Sequence, residues 1–471
     1  MTQYSSIDYL NDRFEAQQKA FQVSPYPSLQ ERKRYLQGIH QSLVKHQDAF
    51  YKAVSLDYGN RSSFDSAIAD VVPNIAACRY YLKRLKKLMK PSCRWPDLLL
   101  MPSSVKVEYQ PLGVVGIICP WNFPLMLSLG PLIAAVAAGN RALIKMPENT
   151  PHTNQVVRTL LQDVFTDDYV AVVEGGSAIG SAFSSLPFNH LFFTGSPRVG
   201  KLVMAEAAKN LTPVTLELGG KSPTFILNDI AIETAVARLF LGKTINGGQI
   251  CVAPDYVLIH KDRVKALVDA YVEQFKSTYA RVDGNEDYTA CIDERQYQRI
   301  KAMLADAEQK GATIVSASGE GPNDDSRVIP THLVTNVTDD MQIMQEEIFG
   351  PILAIKGYES LDEAIDYVVA RPRPLALYIL SFNQSLQRHI LQRTHSGGVA
   401  INETAFHAVA EDAPFGGVGN SGMGHYHGVE GFRTFSHART VLRKGRFNIT
   451  HILFPPFNTV LHRLVLRLFA R

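Results

Sequence analysis

Cysteine is scarce: five residues (Cys78, Cys93, Cys119, Cys251, Cys291) in a chain of 471. Their number is odd, their spacing is wide and no C-x-x-C pair occurs, which argues against a disulfide framework, a zinc site or a redox dithiol and for a reducing compartment. Charge of one sign is lacking too. The formal net charge is only +3, and no basic stripe interleaves with aromatics, so nucleic acid is a poor partner and a small molecule a better one. Apolar runs are short: the longest, such as Pro131 to Ala138, fall below the roughly 20 residues that a spanning helix needs. The N-terminal MTQYSSIDYLNDRFEAQQ has no basic start followed by an apolar run, so no secretory signal is read there and a cytoplasmic protein is expected. What remains is an ordinary globular composition, 46% hydrophobic and 20% charged, which excludes a disordered or collagen-like chain. The length requires two or more domains.

From Tyr26 to about Leu88, apolar positions recur at three- and four-residue spacing and predict an N-terminal helical layer. A Pro-rich break at Pro91 to Pro102 follows, then an alternating segment, SVKVEYQPLG, that reads as an exposed strand or arm. Beyond Leu112 short apolar strands alternate with amphipathic helices: VVGIIC, ALIKM, a helix around Val156 to Val164, YVAVVEGG, HLFFTGS, a helix Lys201 to Lys209 and VTLELGG. This alternation predicts a parallel sheet covered on both faces. A second set (TFIL, DYVLIH, helices Val264 to Phe275 and Ile300 to Lys310, PILAIKGY, helix Leu361 to Val369, ALYILSF) supplies a second α/β unit, meeting the first near Gly219 and Gly220. No internal repeat or low-complexity block is visible.

Cys251 ends the amphipathic stretch AVARLFLGKTINGGQIC and precedes VAPDYVLIH. A cysteine at such a helix–loop–strand join can be partly exposed, with backbone dipoles favouring its thiolate. Alone it would read as a small buried hydrophobe, and Glu217 alone as a strand-end carboxylate in solvent. Gly195, Ser196 and Gly200 form a glycine turn into a helix after HLFFT, a place that can receive a pyrophosphate, although no G-x-G-x-x-G occurs. The context changes these readings: LELGGKSP lies just ahead of Cys251, with Glu217 34 residues upstream, and EEIFGP begins 95 residues downstream.

PWNFP (Pro120 to Pro124), GNRALIKMPE (Gly139 to Glu148), FTGSPRVG (Phe193 to Gly200), LELGGKSP, GGQIC, EEIFGP and PFGGVGNSGMGHYHG (Pro414 to Gly428) resemble, in order and spacing, the aldehyde dehydrogenase superfamily. VGNSGMGHYHGVEGFRTFSHAR looks like its class 3 branch, and SLDYGNRS is similar to bacterial coniferyl-aldehyde dehydrogenases. The resemblance implies a Rossmann-like nucleotide-binding domain (1–95 and 111–219), an α/β catalytic domain (220–423), a small β bridging arm (96–110 and 424–442) and a C-terminal tail (443–471). It makes Cys251 the nucleophile, Asn122 an oxyanion donor together with the Cys251 backbone N–H, and Glu217 the base that activates water. Lys145 and Glu148 would contact the adenosine ribose, Gly195, Ser196 and Gly200 the pyrophosphate, and Glu347 and Phe349 the nicotinamide ribose and ring. Trp121 and Gly219 complete the cofactor-binding set, while Glu346 is read as surface.

NAD is the expected cofactor, because a carboxylate at Glu148 repels a 2′-phosphate; Lys145 works the other way and also admits NADP. The implied reaction is oxidation of an aromatic or a medium or long aliphatic aldehyde to its acid, in a homodimer. Two alternatives stand beside it: a coenzyme A-acylating enzyme, opposed by Glu217, and a non-catalytic family member, opposed by the intact Cys251, Asn122 and Glu217 set. His407, His425, His427 and His437 do not have metal-ligand spacing, and no metal is expected. In NTVLHRLVLRLFAR, Val460, Leu461, Leu464, Val465, Leu468 and Phe469 share one helical face, while Arg463, Arg467 and Arg471 line another. Packing on the protein's own dimer or domain surface is placed slightly ahead of peripheral membrane contact for this helix.

Overall fold

The computed structural model describes residues 5–97, 100–448 and 450–470; Arg471, placed above on the basic face of the tail, lies outside the described residues. Two mostly parallel sheets and one small antiparallel sheet organise it. The six-stranded sheet runs, across its width, 422–423, 214–218, 190–195, 114–118, 141–146 and 170–174. All its pairings are parallel except that of the two-residue edge strand. Strands Val114–Ile118, Arg141–Met146 and Val170–Glu174 are buried along their whole length, as a sheet covered on both faces requires.

The winding reverses beside Val114–Ile118. From there the chain steps outward to 141–146 and 170–174, then crosses back to place 190–195 on the other side. The carboxyl ends of strands at such a reversal leave a crevice that no crossover covers. Asn122 follows one of these ends and Ser196 another.

The seven-stranded sheet, ordered 313–316, 332–335, 352–358, 256–260, 223–226, 376–380, 398–401, is parallel apart from its first strand. The chain passes from Val214–Leu218 in the first sheet to Pro223–Ile226 in the second through only Gly219 to Ser222. Carboxyl ends of the first sheet therefore face amino ends of the second. Cys251 precedes strand Tyr256–His260, and Glu347 and Phe349 precede Ile352–Tyr358.

The expected N-terminal helices are present as Leu29–Tyr58, closed at its start by a reciprocal Ser28–Glu31 capping box, and Val72–Leu88, with a π-helical turn at Ala67–Val71 before it. Several helices begin earlier than their apolar spacing suggested. Pro151–Gln162 and Pro197–Ala208 open on a proline, and Glu294–Gln309 on the Asp293 cap; polar first turns carry caps rather than a hydrophobic period. Met126–Ala138, Ser177–Ser184 and Gln384–Arg393 were not anticipated, nor was Ile7–Val23, which buries only Leu10, Phe14 and Gln17. Its anchor is polar: Gln17 Nε2 donates to the Ala142 carbonyl at 2.9 Å. Met126–Ala138 is apolar all round and correspondingly buried on nearly every side.

The alternating segment forms strand Ser103–Pro111, paired antiparallel with Ser436–Lys444 over its whole length and with Ser92–Arg94 on its other side. The tail forms helix Val460–Phe469, again with a capping box, from Thr459 and His462. Its apolar residues are largely uncovered within the chain, Leu464 being 53% and Leu468 62% exposed. No helix among the described residues is long and apolar enough to cross a membrane.

Candidate active site

Helix Ile232–Thr244 stops at a turn that few sequences could make. Asn246, Gly247 and Gly248 all have positive φ (51°, 59° and 73°), the left-handed region that Asn and Gly tolerate. A Cβ at Gly248 would lie 2.6 Å from the Gly350 carbonyl oxygen, and one at Gly247 2.9 Å from that of Thr289. Gln249 then pins the loop: its amide donates to the Asn246 and Ala290 carbonyls at 2.9 and 3.0 Å, while its oxygen accepts from the Ile292 N–H at 3.1 Å. Beyond it the Tyr378 hydroxyl donates to the Val252 carbonyl. Cys251 is thus held half-buried on a fixed loop.

Backbone N–H groups favour its thiolate, as expected, but burial outweighs them. Burial pushes the thiol up to about 12, and Glu347 and Glu217 add to the effect; the N–H groups of Cys251 and Val252 pull the other way and do not prevail. In this state the nucleophile is a thiol.

Asn122 is 3% exposed, and its side-chain amide donates to the Gln249 carbonyl at 3.2 Å. An amide nitrogen has two N–H donors, so the second is left for another acceptor. The Asn122 carbonyl receives Arg61 Nη1 at 2.7 Å, the Tyr58 hydroxyl at 3.1 Å and Asn246 Nδ2 at 3.2 Å. Arg61 is paired in turn with Asp70 at 2.8 Å, neither side chain being exposed. The second Asp70 oxygen accepts the N–H groups of Leu125 and Met126 at 3.1 and 2.9 Å.

None of Tyr58, Arg61, Asp70, Asn246 and Gln249 was singled out from the sequence. One signal was there to read: Asp70 interrupts the apolar run AIADVV, where an ionisable group must have a partner. Burial raises its carboxyl to about 6 against the opposing pull of Arg61.

Glu217 sits within strand Val214–Leu218, flanked by Thr194 and Gly422. It is 3% exposed rather than solvated, and neither carboxylate oxygen has a hydrogen-bond partner. Burial holds its carboxyl well above the usual range. Glu217 lies close enough to Cys251 for its charge to bear on the thiol.

Glu347 is half-buried with Oε1 unpartnered, raised to about 8 by burial and by Asp255, while the Gly220 backbone N–H opposes the rise. Its carboxylate occupies the space that a side chain at Gly219 would fill. Phe349, at a φ of 48°, meets Trp121 edge to face at 5.3 Å. Arg299 steadies this loop by donating to the Ile348 carbonyl at 2.6 Å and to those of Glu347 and Phe349 at 3.3 Å. Lys221 ties the other side to Asp255 and to the carbonyls of Ile343 and Glu346, and the Glu346 side chain is exposed as expected.

The remaining positions lie at the crevice described above. Lys145, next to last in strand Arg141–Met146, is buried and is paired with exposed Glu148 at 3.1 Å. Ser196 caps helix Pro197–Ala208, accepting the Val199 N–H at 3.4 Å, and Gly195 ends the strand before it. A Cβ at Gly200 would come within 2.6 Å of Leu218, so the helix packs closely on the sheet. A helix N-terminus at the crevice and the orphaned Glu347 Oε1 fit a dinucleotide, supplying anion-binding amides and an acceptor for sugar hydroxyls.

The aldehyde dehydrogenase family description matches residues 4–441 of the chain. A probable coniferyl aldehyde dehydrogenase of Pseudomonas aeruginosa is 48% identical, over 99% of this chain and 97% of the relative. Among solved structures, the substrate-bound state of Staphylococcus aureus AldH superposes with a TM-score of 0.92 at 34% identity, covering 98% of this chain and 99% of that one. An NAD+ complex of a Bacillus cereus aldehyde dehydrogenase gives 0.85 at 26% identity, covering 93% and 89%.

Proposed function

The chain belongs to the aldehyde dehydrogenase family, and from that premise we propose that Cys251, Asn122 and Glu217 carry the oxidation of an aldehyde to its carboxylic acid. The observation that carries this assignment is the grouping of a half-buried cysteine on a fixed loop, a buried amide with a donor to spare and a buried carboxyl with both oxygens unpaired.

Cys251 Sγ adds to the aldehyde carbon as its proton passes to solvent and the carbonyl π bond opens, giving a tetrahedral thiohemiacetal. The oxygen gains negative charge and takes hydrogen bonds from Asn122 Nδ2 and the Cys251 backbone N–H; a preorganised donor of this kind is worth about 3 kcal/mol of barrier. A bound nicotinamide dinucleotide supplies the two-electron acceptor for the hydride. The acyl group is left on sulfur as a thioester. Glu217 then takes a proton from water, hydroxide adds to the thioester carbon, and the C–S bond breaks to release the acid, the proton held by Glu217 passing to sulfur to return the thiol. Transfer to coenzyme A instead is opposed by Glu217, whose position suits water activation.

Lys145, Glu148, Gly195, Ser196, Gly200, Gly219, Trp121, Glu347 and Phe349 are assigned to the cofactor. NAD is preferred: Glu148 repels a 2′-phosphate, and the Bacillus cereus neighbour was solved with NAD+. Lys145, paired with Glu148, softens that repulsion and admits NADP.

The Pseudomonas aeruginosa relative supports an aromatic substrate such as coniferyl aldehyde, with medium or long aliphatic aldehydes as the second class. We assign residues 1–95 and 111–219 to cofactor binding, 220–423 to catalysis, and 96–110 with 424–442 to a bridging arm. Strand Ser436–Lys444 lies at a sheet edge, a template for pairing with a second copy, which supports a homodimer; a monomer in sedimentation would refute it. All five cysteines are free, in keeping with the cytoplasm. The exposed apolar face of the tail helix supports peripheral membrane contact, which fails if liposomes bind equally with and without residues 458–471.

The test of the chemistry is NADH formation from aliphatic, benzylic and cinnamyl aldehydes, with the acid product identified. Turnover disappears in Cys251→Ala; turnover that survives means Cys251 is not the nucleophile.

A further inference from the structure

The proposed oxyanion donor is only as good as the aim of its amide. An asparagine amide carries a donor at one end and an acceptor of nearly the same size at the other. Turned half a revolution about its last bond, Asn122 would show Oδ1 where negative charge develops and would repel it. The Gln249 carbonyl selects the nitrogen: it accepts Asn122 Nδ2 at 3.2 Å. A turned amide would set Oδ1 against that carbonyl, acceptor facing acceptor, and Asn122 is only 3% exposed, so the mismatch would be costly. The amide is planar, and holding one N–H also fixes the direction of the other.

That carbonyl is held by the side chain of its own residue. Gln249 is 2% exposed and uses both amide N–H groups, on the Asn246 carbonyl at 2.9 Å and the Ala290 carbonyl at 3.0 Å, while its oxygen takes the Ile292 N–H at 3.1 Å. The 290–292 segment has an anchor of its own. Ala290 N–H donates to the Asn60 carbonyl at 3.0 Å, and the Asn60 amide donates to the Asn285 and Tyr288 carbonyls at 2.8 Å each. Asn246 braces the same point from the kink, its Nδ2 lying 3.2 Å from both the Gln249 and the Asn122 carbonyl oxygens. Hydrogen bonds thus lead from Asn60, just beyond helix Leu29–Tyr58, through the Gln249 side chain to the Asn122 amide.

We propose that Gln249 is a positioning residue of the reaction: through its own carbonyl it sets which end of the Asn122 amide faces the developing oxyanion. The inference rests on Asn122 being the oxyanion donor. Gln249 touches none of the reacting atoms under this assignment, and its effect on rate passes through Asn122. A residue that acts only through another has no effect once that other is gone. Because the charge on oxygen exists in the tetrahedral species and not in the bound aldehyde, the effect falls on kcat rather than on KM.

The experiment is a double-mutant cycle on kcat and KM for one good aldehyde: wild type, Gln249→Leu, Asn122→Ala and the double variant. Gln249→Leu lowers kcat about tenfold to a hundredfold with KM changed less than about threefold, short of the full loss of the donor. In the Asn122→Ala background the same change lowers kcat less than about twofold. Should Gln249→Leu fail to fold, the cycle is run with Gln249→Glu, which keeps an acceptor for the Ile292 N–H and, when protonated, one donor; its kcat relative to the wild type falls as pH rises and that donor is lost. Losses that multiply in the double variant, or a wild-type kcat in the Gln249 variant, overturn the role of Gln249 and leave the oxyanion assignment standing. An Asn122→Ala enzyme with wild-type kcat removes that assignment, and this inference with it.

Discussion

Replacing Glu217 with glutamine keeps the side chain's shape and removes its capacity to take a proton. Both oxygens of the native carboxyl are buried and unpartnered, so the exchange breaks no hydrogen bond within the chain. Addition of the thiol and loss of hydride do not use this group in the proposed sequence; hydrolysis of the thioester does. Glu217→Gln therefore releases NADH in a burst that matches the number of active sites, and steady turnover then falls by about a hundredfold to ten-thousandfold, the range of a general base. Rapid mixing with an aldehyde, followed by mass spectrometry of the acylated protein, reads both effects. Loss of the burst along with steady turnover would refute this division of labour, as would an unchanged steady rate.

The same variant has a second signature. Burial raises the Glu217 carboxyl in the folded protein above its ordinary value of 4.5, so the folded state binds this proton more tightly than the unfolded chain. Stability from this group is whole below 4.5 and is lost as pH rises through the higher folded value. Glu217→Gln removes that slope, and its stability relative to the wild type increases toward alkaline pH in denaturant titrations.

Asn122→Ala lowers kcat by about a hundredfold or more with little change in KM, as loss of an oxyanion donor does; steady-state kinetics on one good aldehyde would check it. Arg61→Met leaves Asp70 buried without its cation and costs about 3–5 kcal/mol in urea unfolding. The double change to Arg61→Met with Asp70→Asn costs less than the sum of the singles, because the two act as a pair. Gly248→Ala places a side chain against the Gly350 carbonyl at a φ of 73°, and both thermal stability and kcat fall, whereas an unstrained loop would tolerate it.

Much of the architecture was legible because its signals are local. Short apolar strands alternating with amphipathic helices announced parallel sheets, and the motif order announced the family. Less legible was anything whose reason lies far away in the chain. Helix Ile7–Val23 shows a thin apolar stripe and is anchored by Gln17, whose partner Ala142 lies 125 residues on. Glu217 looks like a surface carboxylate until strands from both sides enclose it. Asp70 shows in the sequence only that it needs a partner; that the partner is Arg61, and that the pair holds the Asn122 loop, appears only in the fold. The motifs give the residues that react, but the residues that hold them come from segments with no motif, since support depends on shape and pairing rather than on chemistry.

The charges around Cys251 impose one more consequence. Burial raises the thiol to about 12, Glu347 to about 8 and Glu217 well above its usual range, and each carboxylate further opposes ionisation of the sulfur. Near neutral pH the resting sulfur is therefore a thiol, and the nucleophile is dormant. A cation placed among these groups stabilises their ionised forms and lowers each of them. The oxidised nicotinamide ring is such a cation, and the reduced ring is not. With NAD+ bound, the alkylation of Cys251 by iodoacetamide shifts to lower pH, corresponding to about tenfold to a thousandfold more thiolate at a given pH. NADH, which fills the same space without the charge, leaves the pH profile where it was. Linkage makes the effect reciprocal, so NAD+ binds more tightly as pH rises while NADH does not. Equal shifts with both forms would mean that packing, not charge, governs the thiol, and no shift with either would mean that the sulfur does not sense the cofactor at all.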